Sequence, residues 1–272
     1  MSVAFSYLYD GTLEGLLSAV FTAFQRRECP EDIVTEAGLQ ESLFVSYEPL
    51  STDLEQAERV QAGIVNKLGP ANYDNVKRVF LSDDQRKGGI ILRYLQYTLR
   101  QGPHSCTHLA NPVVHDFEEV LSVVSKEAHY MLQFVRFAQL EGGVFFSRIE
   151  PKASVVPLIM DHFAERFNVQ PFMIHDARHQ LTGVFDTQKW WLLDARELQL
   201  PEQTSSEDEF QSLWQCFFDT VAIQERRNPT CQRNFMPKRF WGNMCEQIPA
   251  QLRHRRPQTT TPTQAARQLL PA

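Results

Sequence analysis

Two stretches of the 272-residue chain combine residue types that could act on a phosphate or a proton. In KEAHYMLQFVRF, His129, Gln133 and Arg136 fall on one stripe if the segment is helical, because residues seven apart lie two turns apart on the same face. An imidazole, an amide and a guanidinium in that order could hold a phosphate. The same stripe could instead be satisfied by an adjoining sheet, with Arg136 paired to a buried carboxylate. In HFAERF followed by IHDARH, His162 and Arg166 share a helix face, and Asp176 and Arg178 sit at a strand end. This set is either a basic pocket at a sheet rim or a charge network that holds the fold. His129, His162 and Asp176 are the candidate acid–base groups. No spacing among Asp161, Asp176, Asp186 and Asp194 favours two of them as a carboxylate pair.

A third stretch, IQERRNPTCQRNFMPKRFWGNM, interleaves Arg226, Arg233, Lys238 and Arg239 with Asn228, Phe235, Phe240 and Trp241. Cations neutralise phosphates and exposed aromatics stack on bases, so the pattern suits nucleic acid. In the other reading Phe240 and Trp241 pack inward and the cations are a solvated flank. A fourth, His104, Cys106 and His108 with His115 beyond, offers borderline metal ligands. No second cluster matches it, and neither a metal nor another cofactor is expected. GxGxxG, GxxxxGK[ST], HExxH, GxSxG and DxDxDG are all missing, which removes the usual support for nucleotide-binding, zinc-protease and serine-hydrolase readings.

The elements that would position these groups follow from hydrophobic periodicity. A strand at Val3–Tyr9, a turn at Asp10-Gly11-Thr12 and a helix carrying Leu13, Leu16, Leu17, Val20 and Phe24 open the chain. Polar helices follow between Ser51 and Arg100. A long helix is predicted from about Val113 to Leu140, apolar on two stripes and hence well buried. Strand-like runs at 142–150, 171–176, 181–186 and 190–194 surround a helix at 155–167. The hairpin-length links ARHQ and TQK predict an antiparallel meander. The expected class is therefore α+β, a mainly antiparallel sheet covered by helices with a long central helix, with the Val3–Tyr9 strand as a candidate further member. One domain is expected over 1–248, with a possible helical subdomain at 51–140 and a disordered tail at 249–272.

Composition bounds the function classes. A 43% hydrophobic share excludes a wholly disordered or collagen-like chain. The net charge of −6 gives no reason to expect nucleic acid until it is divided along the chain. Residues 226–272 hold nine basic side chains and one acidic, a sum of +8, which leaves −14 on residues 1–225. No basic segment precedes the first apolar residues, and no apolar run reaches the ~18 residues a membrane span requires. Five cysteines without a CxxC point to reduced thiols in a cytoplasmic protein.

The segments YLYDGTLEGLLSAVF, VSKEAHYMLQFVRF, PLIMDHFAERF with IHDARH, and the basic stretch above, in that order, resemble a bacterial family of unknown function labelled a probable DNA metabolism protein. Its members are typically encoded beside a radical-SAM protein resembling a DNA photoproduct lyase, or are fused to a uracil-DNA-glycosylase-like domain. The resemblance covers about residues 3–247. It implies DNA metabolism or repair, with DNA or a radical-SAM protein as partner and no membrane. The candidate DNA-contacting residues are Arg136, Arg166, Arg178, Arg226, Asn228, Arg233, Lys238, Arg239 and Trp241. Tyr130 departs from the pattern, which carries a basic residue after the His. No CxxxCxxC is present, so the chain is not itself expected to be the radical enzyme. Two other classes stay open: a nucleic-acid-processing hydrolase of nuclease or glycosylase type, and a protein-binding adaptor without DNA contact.

Overall fold

A computed structural model describes residues 4–39, 45–195, 205–221 and 228–247. The expected disordered tail and Arg226 lie outside the described residues. The chain divides into two compact units, Met1–Lys126 and Glu127–Ala272, and the expected helical stretch at 51–140 crosses that division.

In the first unit, β1 (Ala4–Tyr9) lies between β2 (Ile33–Thr35) and β3 (Val45–Pro49), parallel to both. The Val3–Tyr9 run is thus a strand as expected, but it centres a separate sheet. The crossover is α1 (Leu13–Arg26), because parallel neighbours need a connection that returns to the same end. Asp10 closes the β1–α1 turn, accepting from the Thr12 amide and hydroxyl and from the Thr52 hydroxyl, while Thr12 caps α1 at the Gly15 amide. Gly15 is required there: a Cβ would stand 2.2 Å from Asp10 Oδ1. Helices α2 (Leu54–Leu68), α3 (Pro70–Phe80), α4 (Lys87–Gln101) and the start of α5 (Pro112–Phe134) complete the unit around Tyr7, Ile64, Ile91, Leu95 and Phe117.

The second unit is built on a five-stranded sheet in the order β4 (Ala138–Gln139), β5 (Phe145–Ile149), β6 (Phe172–Asp176), β7 (Leu181–Phe185), β8 (Trp190–Asp194). The β6–β7–β8 meander is antiparallel, as its short links predict. The sheet as a whole is mixed, because α6 (Val156–Arg166) carries the chain from β5 across to β6, which runs parallel to it. α6 packs on the face that bears Phe172, Ile174, Gly183 and Phe185, with Phe137, Phe163 and Phe167 joining the aromatic core.

The long helix ends at Phe134, earlier than periodicity predicts. Phe137 turns into the aromatic core, residues 138–139 pair with β5, and the Gln139 amide donates to Glu207. Tertiary pairing here overrides helical propensity. Helices α7 (Ser205–Val221) and α8 (Pro229–Phe235) follow the sheet in the chain. Residues 238–247 form two 3₁₀ turns, Lys238–Asn243 and Cys245–Gln247. No described helix is long and apolar enough to cross a membrane.

A Cβ on Gly183 would meet Met160 Sδ at 2.3 Å and Val156 Cγ1 at 2.9 Å, so α6 sits directly on β7. Gly183→Val is therefore expected to lower the stability of the second unit by about 1–3 kcal/mol, the usual cost of overpacking. Urea unfolding followed by circular dichroism measures it, and an unchanged midpoint would contradict this packing.

Candidate functional site

β5 and β6 run parallel and end side by side, and in open sheets the carboxyl ends of parallel strands leave a crevice. Here that crevice is an open cleft of about 520 Å³ lined by Arg148, Glu150, Lys152, Ala177, Arg178 and Arg239. Four cations and the Glu150 carboxylate line it, and a second carboxylate, the buried Glu127, is paired with Arg239.

Each wall has a sequence origin. Arg148 is the exposed residue between buried Ser147 and Ile149, so the alternation of β5 turns it away from the α6 face. Its guanidinium lies 2.7 Å from Glu150, with both side chains about half exposed. Arg178 follows Asp176 at the β6–β7 turn. Asp176 is fully buried and accepts from the amides of Arg178 and His179, while His179 Nδ1 lies 2.6 Å from its other oxygen. Asp186 repeats the device at the β7–β8 turn, accepting from the amides of Gln188 and Lys189.

Arg239 and Lys152 are placed by one buried group. Glu127, near the end of α5, is 3% exposed. It accepts two hydrogen bonds from Arg239, both at 2.5 Å, and one from the Lys152 amide at 2.7 Å. The Arg239 guanidinium also covers the Phe240 ring at 4.1 Å. Fork-to-fork pairing fixes its plane while its side chain stays 31% exposed at the cleft.

The structure therefore brings Arg178 and Arg239 together, and adds Arg148 and Lys152, which sequence reasoning missed. The signal for Arg148 was available: it is the lone charged residue in the strand FFSRI. The signal for Lys152 was not, since its place depends on a carboxylate 25 residues earlier. Arg136 stands elsewhere, with its charge met by Glu246 at 2.8 Å and its Nη1 on the carbonyls of Gln133 and Val135. Arg166 is exposed in the last turn of α6. Asn228 caps α8 at the Cys231 amide, and Arg233 donates to Thr230. Lys238 lies over the Trp241 ring, whose Nε1 donates to the Met236 carbonyl.

The acid–base candidates have separate partners. His129 is exposed and bonded to Gln133, His162 is exposed with its edge on Phe163, and Asp176 anchors its turn. His104, Cys106 and His108 fall in and beside a 3₁₀ turn, Pro103–Thr107, with Cys106 buried and His108 Nδ1 3.4 Å from the Tyr97 hydroxyl. No group of three potential ligands forms a metal site among the described residues. Burial, reinforced by Arg148, holds His175 below its ordinary pKa of 6.5, against a smaller opposing pull from Asp176. Burial and the Glu246 carboxylate push the Cys245 thiol up to about 11, which keeps it protonated.

Glu127→Gln keeps the shape and removes the charge. It is expected to destabilise the second unit by about 1–3 kcal/mol, the cost of leaving a part-buried charged partner short of its bonds. Denaturant titration would reveal this, and a change under ~0.5 kcal/mol would show that the tie is dispensable.

No curated protein matches the chain. A family described as a domain of unknown function, DUF4130, matches residues 85–246, which include every residue lining the cleft. That span is more than half of the sequence, and the chain belongs to the DUF4130 family.

Proposed function

We propose that this chain is a DNA-metabolism protein that binds nucleic acid through the cleft at the ends of β5 and β6. The observation that carries the reading is the convergence of Arg148, Lys152, Arg178 and Arg239 on one crevice, where Glu150 is the lining carboxylate and Glu127 is paired with Arg239. Such a concentration of cations attracts a polyanion and releases its counterions. The resemblance to DNA-metabolism proteins points the same way, and it names a radical-SAM protein as the partner that would carry the chemistry. No pair among His129, His162 and Asp176 shares a hydrogen bond, so the hydrolase reading has less support than binding.

The adaptor reading keeps one specific observation. Phe210, Leu213, Phe217 and Val221 recur at helical spacing along α7, each more than half exposed, with Trp214 among them. An apolar stripe of this kind suits a protein surface. It is compatible with DNA binding, because it uses none of the cleft residues.

For binding, the test is affinity for single-stranded and duplex oligonucleotides across a salt series, with wild type and Lys152→Ala/Arg178→Ala. Log affinity should fall steeply with log salt. The variant's slope should be shallower by about 0.7–0.9 for each phosphate it no longer neutralises. Undetectable or salt-independent binding would remove the reading. For the adaptor, Phe210→Ser/Phe217→Ser should abolish co-purification of a co-expressed radical-SAM partner and leave any DNA affinity intact. Retained co-purification would free the stripe of that role.

A further inference from the structure

The face of the second sheet opposite α6 has a composition that core packing does not account for. The strand register sorts it into two rows. Phe146, Met173, Val184 and Trp191 lie side by side across β5 to β8, and Arg148, His175, Thr182 and Leu193 form the next row. Only Thr182 is buried; the other seven are half-buried or exposed. α6 is the helix that packs broadly on β6–β8 among the described residues, and it lies on the other face.

Three of the eight carry flat π systems. The Phe146 and His175 rings are 6.4 Å apart and 23° from parallel. Trp191 stands three strands from Phe146, about 14 Å away at the usual strand spacing. The His175 ring is held in place by a 3.0 Å hydrogen bond between Nδ1 and the Thr182 hydroxyl. Arg148 belongs to both features: it pairs in register with His175 and it lines the cationic cleft.

We propose that this face is a stacking platform for the bases of a single-stranded nucleic acid whose phosphates lie along the cleft, an inference that rests on the nucleic-acid reading above. Charge complementarity selects this occupant over a protein: the apolar rows run directly into four cations, which a strand with bases on one side and phosphates on the other satisfies together. A duplex keeps its bases stacked on one another and offers the platform no free ring. Aromatic side chains borne on a sheet use the same physics in single-strand binders, where every base presents a π face and sequence matters little.

The test compares a 20-nucleotide oligo(dT) with an abasic strand of equal length, which has the same phosphates and no bases. Wild type should prefer oligo(dT) roughly 5- to 150-fold, the span of the stacking effect for a single base. Trp191→Ala should lose most of that preference, Trp191→Phe should retain it, and neither should alter the slope of affinity against salt. Equal wild-type affinity for the two strands overturns the platform, whatever the variants do, because that comparison does not depend on a variant folding. If binding is salt-dependent but blind to bases, the cleft stands and the platform falls. If oligo(dT) binds in a base-dependent, salt-insensitive way, the cleft falls and the platform stands.

Discussion

The second unit depends on one buried carboxylate. Glu127 takes bonds from a backbone amide 25 residues away and from a guanidinium 112 residues away. A carboxylate this deep is costly to leave unpaired. The β5–α6 connection and the turn at Lys238–Asn243 must therefore both be in place before the end of α5 can be buried. Arg136 and Glu246 repeat the tie with the signs exchanged, so the C-terminal segment is held by two ion pairs that cannot be swapped for each other. Phe240, between the two ties, lies 5.6 Å from Tyr130 and 5.5 Å from Phe134, ring to ring. The cleft wall at Arg239 follows from these contacts.

Local pattern made much of the fold legible. The β6–β7–β8 meander, α6, and the strand–turn–helix at Asp10-Gly11-Thr12 all follow from alternation, helical spacing and turn residues. What periodicity could not supply was pairing across distance. Nothing in Val3–Tyr9 says whether it joins the larger sheet or centres its own. Nothing in Val135–Leu140 says that two residues there will pair with β5 in place of another helical turn. The site divides in the same way. Arg178 and Arg239 are named as cations by the sequence, and Arg136 with them, because only the fold shows that Arg136 turns to Glu246 and does not line the cleft, whereas Arg239 lines it while paired with Glu127.

The charge profile changes meaning once partners are known. The run from Arg226 to Arg239 is the most basic part of the sequence, yet Arg239 faces Glu127 and Asn228 serves as a helix cap. Three of the cleft's four cations, Arg148, Lys152 and Arg178, come from the acidic body of the chain. Local fields come from convergence in space, and a sum over sequence windows blurs it.

Charge and π surface also divide along β5 for a physical reason. Arg148 is exposed toward the carboxyl end of the strand, where water reaches it, whereas Phe146, toward its start, gains from partial burial beside Met173 and His175. The sheet thus separates two interactions that respond differently to salt: phosphate attraction weakens as salt is added, and stacking persists. A strand bound by both would keep its base contacts when ionic strength loosened its backbone. The α7 stripe shares no residue with either surface, so a protein partner could engage it while nucleic acid occupies the sheet.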